Sequence, residues 1–252
     1  MPQELKIPLS TYLKDYYACP YRFKLSFFYG FIQPVVFRIG YGKALHNIIM
    51  EIHRKVADKE PGIEERLDEI IEKHFYLPYA SLQVREDMRK SADRSIKDYF
   101  HANQADFDKI RFIEKDIEMN LGNGVRIRGR MDLVKRKDLG GEEKTLIVDF
   151  KTEHREITEN ITEEQLNIYA LGYNSLTGKD ADYIEVYNLD NNESSRKSVG
   201  KENLMNTREF ILGAANDIMG NRLNKHCHKE KCKGCYLNYL CLTKEKKKEF
   251  SI

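Results

Sequence analysis

The chain carries Val125-Arg126-Ile127-Arg128-Gly129-Arg130-Met131-Asp132, a turn, and then Leu146-Ile147-Val148-Asp149-Phe150-Lys151-Thr152. Successive side chains of a strand point to opposite faces, so Asp149 and Lys151 share one face while Val148 and Phe150 share the other. The earlier run alternates in the same way. Arg126, Arg128, Arg130 and Asp132 fall on one side, and Val125, Ile127, Met131 and Leu133 on the other. Between the runs, Lys137-Asp138-Leu139-Gly140-Gly141 is turn chemistry and predicts an antiparallel hairpin. Such a hairpin brings Asp132 up to Asp149 and Lys151. Two carboxylates beside a lysine suit a hard cation, because Mg²⁺ is held by one or two carboxylates, waters and phosphate oxygens. That is the equipment of metal-assisted phosphodiester hydrolysis. The same Asp-x-Lys spacing also describes a solvated strand edge, so its company has to decide between the two.

Upstream, Ser10 is placed as the N-cap of a helix bearing Leu13, Tyr16 and Tyr17, which Cys19-Pro20 ends because a residue before proline is pushed out of helical geometry. The aromatic-rich segment Tyr21 to Tyr29 reads as core. Leu45, Ile48, Ile49, Ile52 and Val56 mark one face of the next helix, with His46 adjoining it and His53 assigned to the surface. Helices over 64–74 and 82–100 precede a strand over Phe112 to Met119 and a turn at 120–124. After the hairpin, residues 159–176 are helical, and Gln165 and Tyr169, four apart, share a face. Two strands, 183–189 and 194–199, and a helix over 202–218 follow. Gly172 to Lys179 is not a phosphate loop: Asp180 stands where Ser or Thr is required.

Apolar residues at 41% and charged residues at 33%, with a net charge of +2, describe a globular protein without a global nucleic-acid signature. Without an apolar run of about 18 residues or a secretory signal pattern, the expectation is a cytoplasmic protein with no membrane partner. Local basic clusters are the arginine face and the C-terminal lysines. Of five cysteines, Cys227, Cys232, Cys235 and Cys241 crowd the C-terminal end while Cys19 stands alone. In a reducing compartment this is metal-ligand spacing rather than a disulfide framework. Four thiolates suit Zn²⁺ and an iron–sulfur cluster equally.

Together, Gly42-x-x-x-His46, Gly129-Arg130-Met131-Asp132, Asp149-Phe150-Lys151 and Gln165-x-x-x-Tyr169 resemble, in order and in element type, the RecB-like branch of the PD-(D/E)XK nucleases. Cys19-Pro20-Tyr21-Arg22-Phe23 and Cys232-x-x-Cys235 with Cys241 resemble its iron–sulfur members, the AddB-type helicase–nucleases and the CRISPR-associated adaptation exonucleases. The resemblance implies an α/β, restriction-endonuclease-like core, a mixed sheet flanked by helices. It also implies a helical insertion and an iron–sulfur subdomain formed by both termini. Residues 1–36 and 221–252 are then the two parts of that subdomain, and 37–220 the core with its insertion at 60–110. Cys19, Cys232, Cys235 and Cys241 would hold a [4Fe-4S] cluster, with Cys227 a bystander. His46, Asp132, Asp149 and the Phe150 carbonyl would bind Mg²⁺ or Mn²⁺. Lys151 would position the attacking water, Gln165 and Tyr169 would orient DNA or the lysine, and Arg130 would contact phosphate or form a structural ion pair. The implied activity is a metal-dependent nuclease on single-stranded DNA or duplex ends, in repair, recombination or CRISPR adaptation, beside a helicase or adaptation partner. The alternatives are a non-catalytic DNA-binding or scaffold subunit of a helicase–nuclease complex, and a zinc-stabilised binding module.

Overall fold

A computed structural model describes residues 5–33, 36–152, 159–225 and 232–241. The chain divides into two compact units, a larger one of residues 35–118 and 130–205 and a smaller one of residues 1–34, 119–129 and 206–252.

The smaller unit begins with β1 (Leu5–Pro8), which pairs in parallel with the start of β3 (Val125–Leu139), from Leu5 opposite Val125 to Pro8 opposite Arg128. This strand was not expected. It holds the chain extended as far as Pro8, so α1 (Leu9–Ala18) starts at Leu9 and Ser10 lies within its first turn instead of capping it. Cys19 is extended and forms the N-cap of α2 (Pro20–Phe23), which passes into a wider turn over Lys24–Phe28. Phe23 and Leu25 are buried as a core reading requires, whereas Phe28 and Tyr29 are exposed. Tyr16 donates to Asp217 Oδ2 at 2.7 Å and Tyr17 stacks on Phe210 with ring centroids 3.8 Å apart, so α1 is fastened to the last long helix, Lys201–Met219.

In the larger unit β4 (Glu142–Lys151) is the central strand. It pairs antiparallel with β3, from Leu133 opposite Val148 to Leu139 opposite Glu142. The turn narrows to Gly140 and Gly141, both at positive φ (70° and 85°), the conformation a two-residue hairpin needs. On its other side β4 runs parallel to β5 (Tyr183–Asn188), and β5 pairs antiparallel with β6 (Glu193–Ser198). Parallel neighbours need a crossover, supplied by the helix Glu159–Thr177. The preceding strand β2 (Ile110–Gly122) also pairs with β3, and is longer at both ends than its sequence pattern indicated.

Leu146 to Phe150 are all buried, so β4 is covered on both faces. Leu146, Val148, Phe150 and Tyr187 meet the helices α3 (Phe37–Ala57), α4 (Leu67–His74) and α5 (Leu82–Asn103) in one apolar core. Asp149 and Lys151 take the opposite face, on the side of the crossover helix. The chain is thus an α/β protein with a mixed sheet flanked by helices, consistent with a restriction-endonuclease-like fold. No helix among the described residues is long and apolar enough to cross a membrane.

One surface assignment is overturned. His53 is fully buried, its Nε2 lying 2.9 Å from the Tyr99 hydroxyl, with the rings of Phe107 and Phe150 beside it. The sheet and α5 both cover α3, so its buried face is wider than the aliphatic stripe alone. Burial, aided by the positive charge of Lys135, pushes the imidazole from 6.5 down to about 3. Between those values the unfolded chain binds the extra proton, so stability is intact above pH 6.5 and falls as pH drops toward 3. His53 alone should cost the fold about 2 kcal/mol between pH 7 and pH 5. Urea denaturation of His53→Leu at both pH values should show that part of the loss gone; a variant as acid-sensitive as the wild type would contradict the assignment.

Candidate active site

Helix α3 and strands β3 and β4 bring their groups together through one carboxylate. His46 Nε2 lies 3.1 Å from Asp132 Oδ1, and Asp132 Oδ2 accepts the backbone N–H of Phe150 at 3.1 Å. Asp132 stands one residue ahead of the Leu133–Val148 pair at which the ladder begins, so its side chain continues the strand-to-strand contact where backbone pairing stops. Gly42 explains how α3 comes so near. A Cβ there would meet Thr152 Oγ1 at 3.1 Å, at the end of β4, and His46 follows about one helical turn later. Thr152, which the sequence motifs did not single out, is 3% exposed and forms this contact surface.

Asp149 and Lys151 are neighbours on one face of β4, as alternation requires, and Lys151 Nζ lies against Asp149 Oδ2. Phe150 points away, into the rings of His53, Tyr99 and Tyr187. That aromatic anchor fixes which way the two charged residues face. On the crossover helix Gln165 Nε2 donates to the Tyr169 hydroxyl at 2.6 Å, and Tyr169 is buried. Arg130 is exposed and pairs loosely with Glu114 at 3.6 Å, while Arg54 also reaches Glu114.

The carboxyls are pushed in opposite directions. Burial raises Asp149, the Lys151 charge works against that, and the Asp132 charge raises it further, leaving it above the ordinary carboxylate value. Burial also acts to raise Asp132, but the hydrogen bond and charge of His46, the Phe150 N–H and the Lys151 charge outweigh it, and Asp132 is held below its usual value. Burial and the negative charges of Asp149 and Asp132 raise the Tyr169 phenol, which stays protonated and able to donate. Side-chain exposure falls from 26% at His46 through 16% at Asp132 to 2% at Asp149, so the site opens on the His46 side.

Among the described residues no three His, Cys, Asp or Glu side chains close on one point as a finished metal cage. The donor set still suits a hard divalent cation, which takes one or two carboxylates and completes its shell with water and substrate oxygens. A cation would also favour the ionised form of Asp149, which burial and the Asp132 charge disfavour. The family model of the PD-(D/E)XK nuclease superfamily matches residues 10–242. The chain belongs to this superfamily. Membership carries with it the expectation of a metal-dependent nuclease. No curated protein matches the chain in sequence. Among solved structures, the crystal structure of SSO0001 is similar over 89% of this chain and 96% of its own, at 15% identity and a TM-score of 0.38, too distant to carry an argument.

In the smaller unit Cys19, Cys232, Cys235 and Cys241 are half-buried and form no disulfide. Burial raises the Cys241 thiol, Lys225 opposes this, and the other three sulfurs raise it further, so each of the three lies within electrostatic reach of Cys241. Backbone contacts hold the segment: the Cys235 N–H donates to the Cys232 carbonyl at 3.2 Å and Lys225 Nζ to the Cys241 carbonyl at 3.1 Å. Cys227 lies outside the described residues.

Because Asp132 is held below its ordinary value, its ionised form contributes favourably to the fold. Asp132→Ala leaves the Phe150 N–H and His46 without their acceptor and should cost about 1–3 kcal/mol in urea denaturation without added metal. An unchanged midpoint would show that the carboxylate does not tie the strands together.

Proposed function

We propose that the protein is a Mg²⁺- or Mn²⁺-dependent deoxyribonuclease of the RecB-like, iron–sulfur type. It acts as an exonuclease on single-stranded DNA or duplex ends, in repair, recombination or CRISPR adaptation, with a helicase or adaptation partner. The observation that carries the reading is the meeting of His46, Asp132 and the Phe150 N–H beside the buried Asp149–Lys151 pair, in a chain of the nuclease superfamily.

In this reading His46, Asp132, Asp149 and the Phe150 carbonyl hold the catalytic cation. Bound there, it supplies Lewis-acid polarisation of the phosphate and lowers the pKa of a water. Lys151 orients the attacking water and offsets charge that grows on the phosphate oxygens. Tyr169, kept protonated, donates a hydrogen bond toward the phosphate or the substrate strand, and Gln165 fixes its phenol. Arg130, exposed beside the site, offers a further phosphate contact. Cys19, Cys232, Cys235 and Cys241 hold a [4Fe-4S] cluster, a role supported by their place in one unit and by the electrostatic reach of the other three to Cys241. A brown protein with broad visible absorption is expected on anaerobic purification; a colourless protein retaining stoichiometric zinc would replace iron with zinc.

End-labelled single-stranded DNA incubated with anaerobically purified protein and Mn²⁺ should be degraded. Lys151→Ala, or EDTA added to the wild type, should reduce the rate by at least about 10²-fold, the scale of losing one charge-stabilising group. Cleavage confined to intact duplex at a defined sequence would sink the substrate assignment, and an active Lys151→Ala would remove the lysine from the mechanism.

A further inference from the structure

The segment between α4 and α5 forms an open groove of about 690 Å³ in the larger unit. Phe75, Tyr76, Leu77 and Pro78 make one wall, and Arg85, Arg89 and Lys90 from the first turns of α5 make the other, with Glu72 and Glu86 at its edges. Tyr76 and Tyr79, in the seven-residue connection 75–81, and Leu82 at the start of α5 are each about 70% exposed, an unusual concentration of bare apolar surface. Ser81 caps α5 by accepting the Val84 N–H at 3.4 Å, which fixes where the cationic face begins. Arg85 and Arg89 are one turn apart and share a face. Arg89 lies over the Phe75 ring at 5.9 Å and pairs with Glu72 at 3.5 Å, so one of the two edge carboxylates is already engaged. Arg85 and Lys90 are exposed.

We infer that this groove is an accessory site for single-stranded nucleic acid, with Tyr76 and Tyr79 as stacking surfaces and the exposed Arg85 and Lys90 as phosphate contacts, Arg89 being engaged by Glu72 and Asp93. Interleaved rings and cations are what a flexible polyanion with planar bases requires, and they bind it without reading sequence. The choice of occupant rests on the nuclease reading. Helix α3 joins the groove to the candidate active site. A Cβ at Gly40 would lie 2.8 Å from Leu77 Cδ1 on the groove wall, whereas His46, six residues along the same helix, contacts Asp132. The rise along the helix axis is about 9 Å, and six residues also turn the two positions about 120° apart around the helix, so a strand engaging both places would pass part-way round α3. In this proposal the groove holds a second stretch of the strand on which the carboxylates work and slows its dissociation between cuts.

The test uses the full chain in EDTA and a fluorescein-labelled oligothymidylate of about 15 nucleotides, followed by anisotropy. Tyr76→Ala/Tyr79→Ala and Arg85→Gln/Lys90→Gln should each weaken binding about tenfold, and the charge variant should lower the salt-dependence slope by about 1.4. Hydrolysis of bis(p-nitrophenyl) phosphate with Mn²⁺, a diester too small to span the groove, should be the same in both variants as in the wild type. Unchanged affinity in both variants would overturn the groove assignment, and so would loss of small-diester hydrolysis in step with binding, which would signal general damage. If the wild type binds the oligonucleotide but does not hydrolyse the small diester, the nuclease reading fails, while the binding comparison still decides the groove.

Discussion

The two hydrogen bonds of Asp132 are the constraint on which the site depends. One carboxylate accepts from the backbone of β4 and faces the imidazole of α3, so a single side chain links two strands and a helix. Asp132 is drawn into a place where desolvation disfavours its charge, and only the donors around it keep it ionised. Asp149 has no comparable set of donors; Lys151 is its main counter-charge and its carboxyl is pushed up. In the proposed metal site one carboxylate favours its ionised form, and the other, disfavoured by burial and by the Asp132 charge, would be stabilised as an anion by added positive charge. Mutual tuning of neighbouring titratable groups is a general mark of functional sites, although structural ion pairs produce it too. The half-open exposure of His46 and Asp132 leaves room for the waters and phosphate oxygens that would complete a hard cation's shell in the proposed function.

The fold around this pair explains its rigidity. Phe150 lies between Asp149 and Lys151 in sequence and is clamped in the opposite direction by His53, Tyr99 and Tyr187. A slip of register by one residue would exchange the aromatic core with the charged face, so the apolar anchor also fixes the aim of the charges. Gly42 contributes from α3, because a Cβ there would crowd Thr152 Oγ1 at 3.1 Å, one helical turn before His46.

Much of this was legible in the sequence because period-two alternation and a Gly-Gly turn specify a hairpin with little ambiguity. Asp132, Asp149 and Lys151 fall together once that hairpin is drawn, and the Gln165–Tyr169 contact follows from helical spacing alone. Other features depend on partners distant in sequence. The strand Leu5–Pro8 is four residues long and ends in proline, too short for its alternation to mark it, and it is held by pairing with Val125 to Arg128. His53 looks like a surface residue when α3 is considered singly; α5 and the sheet bury it from two sides. The groove beside α4 was equally hidden, since its aromatic and cationic residues belong to a connection and a helix that make sense together only after packing.

Whether His46, Asp132 and Asp149 form a divalent-cation site is tested more directly by binding than by turnover. Electron paramagnetic resonance of Mn²⁺ titrated into the protein should show the free-ion signal quenched at one site, with affinity reduced at least about tenfold in Asp149→Asn, a loss of about 1.4 kcal/mol. Equal quenching by the wild type and Asp149→Asn would mean that Mn²⁺ binds elsewhere and would contradict the assignment.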